Sequence, residues 1–119
     1  MGKRAIVHWE LPTANGEVTR KFYGDLFGWE FTHSDDPEYW SFSTGSVGGG
    51  LANVSEQIKP GDIVVYIESD DIDADLKKIT AAGGAVVMPT MEIPTVGWFA
   101  IFTDPTGNPL ALFKALMPS

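Results

Sequence analysis

The chain has 119 residues, 44% of them hydrophobic, which suits a single domain with its own core. Sixteen acidic residues against eight basic ones give a net charge of −8, and clustered Lys and Arg for nucleic-acid phosphates are missing. The absence of cysteine excludes disulfides and thiolate chemistry, and no apolar run approaches the roughly 20 residues of a spanning helix.

Nucleic acid and membrane are therefore not expected partners, and a cytoplasmic location is the expectation. Lys3-Arg4 precede only a short apolar stretch broken by His8 and Glu10, which does not suit a signal peptide. Residues 5–11 alternate as a strand, with Ala5, Val7, Trp9 and Leu11 on one face and Ile6, His8 and Glu10 on the other. Residues 17–27 predict a helix capped by Asn15 and stopped by Gly28, with Val18, Phe22 and Leu26 as its buried stripe. Short strands are expected over 29–32, 39–43 and 47–53, separated by the turns Ser34-Asp35-Asp36-Pro37 and Thr44-Gly45-Ser46.

Residues 55–61 read as a joint, after which the pattern restarts about 57 residues on from its first strand. A strand is expected over 62–68 and a helix over 72–82, with Ile72, Leu76 and Ile79 buried and Gly83-Gly84 as the stop. Strands over 85–88, 98–103 and 109–113 complete the second half. Between the last two, Asp104-Pro105-Thr106-Gly107-Asn108 has proline where a tight turn begins and residues tolerant of positive φ where it closes.

Three tempting motifs fail on their own chemistry. Asp71-Ile72-Asp73-Ala74-Asp75 begins like a calcium loop, but Leu76 and Ala82 stand where the loop needs Gly and Glu. Its aspartates favour a helix N-terminus instead. Gly48-Gly49-Gly50 leads into a strand rather than a helix, so it reads as backbone that something approaches closely, not as a phosphate cradle. Asn53-Val54-Ser55 matches a glycosylation acceptor by chance.

The pairing of Phe22-Tyr23…Phe27-Gly28-Trp29 with Asp104-Pro105-Thr106-Gly107-Asn108 resembles the vicinal oxygen chelate superfamily of glyoxalase I, bleomycin-resistance proteins and extradiol dioxygenases. The resemblance implies an α+β fold of two tandem βαβββ modules. Their curved mixed sheets would form a cleft, with helices on the outer faces. Module one would span about 1–55 and module two about 61–119 of a single 1–119 domain. It also implies a homodimer, the commonest symmetric assembly.

Metal-dependent members carry a histidine on the first strand, and His8 falls there. The other ligand positions implied by the resemblance fall on Gly48–Leu51, Val64 and Ala111, none of which offers a donor side chain. A catalytic divalent ion normally needs about three protein ligands, so neither a metal nor any cofactor is expected. With the apolar face of the first strand against a helix, His8 and Glu10 would face the cleft. Val64, Tyr66 and Phe99 would add an apolar wall, provided Thr103 pairs with Pro109. The expectation is a metal-free small-molecule-binding protein similar to bleomycin-resistance members. The alternative is a glyoxalase-like lyase or isomerase, with rearranged metal ligands or with His8 and Glu10 as an acid–base pair.

Overall fold

Asn15 caps the first helix as its short side chain allows: its backbone is extended and its Oδ1 accepts the Val18 N–H. This helix, α1 (Gly16–Phe27), stops where Gly28 adopts a left-handed φ of 73° and donates its N–H to the Gly24 carbonyl. The second, α2 (Ile72–Ala81), starts the same way on Asp71, whose side chain accepts the Ala74 N–H.

The computed structural model describes residues 2–35 and 38–116, with Glu38 described by its backbone alone. Its strands are β1 (Ile6–Thr13), β2 (Glu30–Asp35), β3 (Glu38–Ser43), β4 (Gly49–Asn53), β5 (Val64–Glu68), β6 (Ala85–Ile93), β7 (Gly97–Thr103) and β8 (Pro109–Ala115). With α1 after β1 and α2 after β5, the α+β class and the tandem βαβββ order are those expected. The chain divides into two compact units: His8–Val64, the N-terminal module, and Val65 onward together with the residues before His8, the C-terminal module.

Within the N-terminal module the strands lie in the order β2-β3-β4-β1. β1 runs parallel to β4, with Glu10 opposite Gly50, and the other neighbours are antiparallel. The helix-facing side holds Leu11, Phe42 and Leu51, with Trp9, Tyr23, Trp29, Phe31 and Trp40 packed around them. The rings interlock: Tyr23 stacks on Trp29 at 5.0 Å and Trp29 on Phe42 at 5.4 Å.

The C-terminal module repeats the pattern as β5-β8-β7-β6, with β5 parallel to β8. Its core is aliphatic in the main, with Ile72 and Leu76 of α2 buried on Ala100, Phe102 and Leu112. Thr103 pairs with Pro109, so Phe99, Ile101, Ala111 and Phe113 share the face away from that core, as the sequence predicts. The Asp104 carboxylate closes the turn by accepting the backbone N–H and side chain of both Thr106 and Asn108. Led by the Asn108 bonds, these contacts hold its pKa down at about 2. Residues before His8 are tied in by Arg4, whose guanidinium pairs with both oxygens of Asp75; Ser69 Oγ donates to the same carboxylate at 2.6 Å.

The structure differs from expectation in three places. Val18, Phe22 and Leu26 do not form a buried stripe; they are 63%, 52% and 63% exposed. Tyr23 and Thr19 face the sheet instead, Tyr23 through its stack on Trp29 and Thr19 through a 2.7 Å hydroxyl contact with Thr13. Close approach of Gly16 to Trp40 fixes this roll of the helix, because a Cβ there would lie 2.6 Å from the indole. Strand β2 continues through His33 to Asp35, so Ser34 and Asp35 belong to a strand, while Asp36 and Pro37 lie outside the described residues. Strand β6 runs on to Ile93, absorbing Pro89 at register shifts between Val86 and Met91.

Candidate binding site in the N-terminal module

Strand alternation sorts the side chains of β1. Trp9 and Leu11 join the aromatic core, so His8 and Glu10 stand on the opposite face, and both are half-buried. Gly50, paired with Glu10, lies on that face with no side chain, and Ser41 of β3 stands opposite Gly50. The Tyr39 hydroxyl fills the space above Gly50, where an added Cβ would meet it at 1.5 Å. From there it lies 3.4 Å from His8 Nε2, a long hydrogen bond.

These environments set the protons. Burial lowers the His8 pKa below its usual 6.5, so the imidazole is neutral near pH 7, with one nitrogen to donate and one to accept. Burial, reinforced by the charge of Glu10, raises the Tyr39 phenol above its usual 10.0, so it keeps its O–H. The face thus offers a neutral donor, a neutral donor–acceptor and a carboxylate side by side. Such a set can hold a hydroxyl or carbonyl oxygen on an otherwise apolar molecule.

Of the residues expected from sequence, His8, Glu10 and Val64 fall in the N-terminal module, and Tyr66 and Phe99 in the C-terminal one. His8 and Glu10 come together with Tyr39. Val64 opens β5 and is half-buried. Tyr66 is buried opposite Ala111, and Phe99 lies half-buried opposite Phe113, both on the face away from α2. Tyr39 is the residue that sequence reasoning missed. Its signal was present: Gly50 in mid-strand announces a close approach, and the approaching group is the chain's own phenol. Gly49 makes the same kind of contact on the other face, where a Cβ would lie 1.9 Å from the Trp9 carbonyl oxygen.

A hollow of about 300 Å³ in the C-terminal module contains none of these residues; Asp70, Asp71, Asp73, Trp98 and Lys114 line it at the start of α2. Among the described residues no three His, Cys, Asp or Glu side chains are grouped to hold a metal ion. At the ligand positions the resemblance implies, Gly48–Gly50 and Leu51 offer no donor side chain, the Tyr39 phenol stands over Gly50, and Val64 and Ala111 carry no donors. The residues present do not fit the metal set of the glyoxalase-type members.

The sequence profile of the Glyoxalase/Bleomycin resistance protein/Dioxygenase superfamily matches residues 5–112. The chain belongs to this superfamily. It is 31% identical over 122 residues to the provisionally named glyoxylase CFP32 of Mycobacterium bovis, covering 95% of this chain and 47% of that one. It is also 31% identical over 124 residues to the anthracycline biosynthesis protein DnrV of Streptomyces peucetius, covering 89% of this chain and 45% of that one. The chain thus spans about half the length of these curated relatives. Among solved structures, methylmalonyl-CoA epimerase from Mycobacterium tuberculosis is similar with a TM-score of 0.73 at 17% identity, over 94% of this chain and 88% of that one. That likeness concerns the fold.

Proposed function

We propose that this superfamily member is a metal-free small-molecule-binding protein, similar to the bleomycin-resistance members. In this reading His8, Glu10 and Tyr39 of the N-terminal module hold a polar oxygen of the ligand. One observation carries it. The Tyr39 hydroxyl stands where a residue-50 side chain would be, 3.4 Å from His8 Nε2, so an organic donor replaces a missing ligand group. A relative named for anthracycline biosynthesis is in keeping with an aromatic ligand. The protein works as a homodimer in the cytoplasm, to which a cysteine-free chain is suited.

A second reading, favoured by the neutrality of His8 near pH 7, is acid–base catalysis. His8 would take a proton from the substrate and Tyr39, the nearest phenol, would donate one to the developing oxyanion. The name of CFP32 suits this reading.

Elemental analysis of protein purified without chelator tests the metal-free claim. The expected result is no stoichiometric transition metal. About one metal per chain, lost in His8→Ala, would overturn the proposal in favour of a metal-dependent lyase.

A further inference from the structure

The four strands of the N-terminal module contain neither Lys nor Arg. Between Lys21 and Lys59 the chain has six acidic residues and neither of these bases. Over the whole module, His8–Val64, nine acids stand against three bases, so −6 of the net −8 lies there. The three bases are placed off the strands. Arg20 and Lys21 belong to α1, on the aromatic side of the sheet, and pair with Glu17 and Asp25 at 2.9 Å each. Lys59 stands in the loop beyond β4. Acidity alone gives solubility; the order of side chains on the face that bears His8 gives it a direction.

Strand register lays that face out in rows. Thr32, Ser41, Gly50 and Glu10 follow one another across β2, β3, β4 and β1. Ser34 and Tyr39 pair in the neighbouring row. Ser41 Oγ and Ser34 Oγ turn toward the backbone carbonyls of Thr32 and Tyr39, at 3.5 and 3.4 Å, which leaves their oxygens as acceptors. Glu10 is the carboxylate set among them. Glu30, which alternation puts on the same face, lies three strand spacings away, at least about 14 Å. The charge of Glu10 reaches its neighbours: it adds to burial in raising the Tyr39 phenol above its usual 10.0.

An ammonium group has three N–H bonds to give and accepts none, so it suits a carboxylate surrounded by acceptor oxygens. A ligand carboxylate or phosphate in the same place would meet Glu10 with no Lys or Arg on these strands to neutralise it. The module's field opposes such an anion from a distance as well. His8 and Glu10, two apart on one strand, stand about 6–7 Å apart, so one small ligand reaches both.

We propose that the ligand held by His8 and Tyr39 carries a protonated amine as well as its hydroxyl or carbonyl oxygen, and that Glu10 receives the amine. This rests on the binding-site reading and adds to it the chemical class of the ligand and the residue that selects it.

Three phenols of one shape test the inference. Tyramine, tyrosol and 3-(4-hydroxyphenyl)propionate end in an ammonium, a hydroxyl and a carboxylate on the same two-carbon arm. Their dissociation constants are read by ligand-observed NMR titration of the full chain near pH 7. Tyramine should bind about 10-fold more tightly than tyrosol, and the acid should show no binding. Glu10→Gln should erase the difference between tyramine and tyrosol, whereas Asp70→Asn, at the acidic start of α2, should preserve it. If Glu10→Gln fails to fold, Glu10→Thr carries the same comparison. A preference that survives Glu10→Gln, or that is lost in Asp70→Asn, would place the attraction elsewhere on the acidic surface and overturn the inference. Equal binding of the three probes, or no binding of tyramine, would overturn it too. Equal binding that still weakens in His8→Ala and Tyr39→Phe leaves the site standing and removes only the ligand class. Tyramine binding that is indifferent to both substitutions removes the site as well.

Discussion

The two modules share strand order but distribute their side chains in opposite ways. In the N-terminal module the large rings are gathered on the helix side, and the other face carries His8, Glu10, Tyr39 and Ser41 beside bare glycine. In the C-terminal module α2 buries Ile72, Asp75 and Leu76, and the face away from it is apolar, with Phe99, Ile101 and Phe113. α1, by contrast, has no fully buried residue and meets the sheet through the half-buried Thr19 and Tyr23. One topology thus builds a core in each module, aromatic in the first and mainly aliphatic in the second, with a polar opposite face only in the first. The polar groups of the first module's second face, His8, Glu10 and Tyr39, are the reason the proposed binding site is sought there.

Substituting the paired glycines of β4 is the severest way to break this comparison. Gly49→Ala drives a Cβ into the Trp9 carbonyl, a backbone atom that cannot swing away. It should destabilise by about 3 kcal/mol, measured by urea unfolding. Gly50→Ala meets only the end of Tyr39 and should cost less than about 1.5 kcal/mol while displacing the phenol from His8. Equal losses at the two positions would mean that Tyr39 is a core residue and not a site residue.

In the C-terminal module, Asp75→Ala should cost about 2 kcal/mol in the same assay, since it removes the charged partner of Arg4 and Ser69. Arg4, first among the causes, holds the Asp75 pKa below 3.8. A depressed carboxylate gives stability that is complete above 3.8 and lost as pH falls through its native value. Asp75→Asn should therefore flatten the acid limb below pH 3.8. Asp104 acts in the same direction, its share vanishing as pH falls through about 2.

His8 belongs to a higher window. Its native pKa lies below 6.5, so the unfolded chain binds the proton more readily. Its contribution is therefore complete above pH 6.5 and declines as pH falls toward the native value. His8→Gln should remove that slope and little else. An unchanged slope below pH 6.5 would show that His8 is not held neutral by burial.

Much of this architecture was legible in the sequence because it rests on local rules. Asn15 and Asp71 cap as short acceptors do, Gly28 and Gly83 stop helices at φ of 73° and 101°, and Asp104–Asn108 closes a turn on its own side chains. Strand alternation likewise put His8 and Glu10 on one face of β1. What was not legible depends on contacts distant in sequence. The roll of α1 is set by Gly16 against Trp40 and Tyr23 against Trp29, which spacing by fours along the helix does not encode. Tyr39 reaches the site from β3, 31 residues from His8, and only the register that sets Ser41 opposite Gly50 brings it there. The extension of β6 through Pro89 depends on bulges that a propensity argument treats as a stop.

The central claim is that His8 and Tyr39 hold a ligand without metal. Its most direct test is calorimetric titration, in excess EDTA, of the tightest hit from a thermal-shift screen of aromatic ketones and phenols. Wild type should bind in EDTA as it does without it. Tyr39→Phe and His8→Ala should each weaken binding by about 10- to 100-fold, the loss of a desolvated hydrogen bond, with the fold intact. Binding that disappears in EDTA and returns with added Zn²⁺, or that is indifferent to both substitutions, would contradict it.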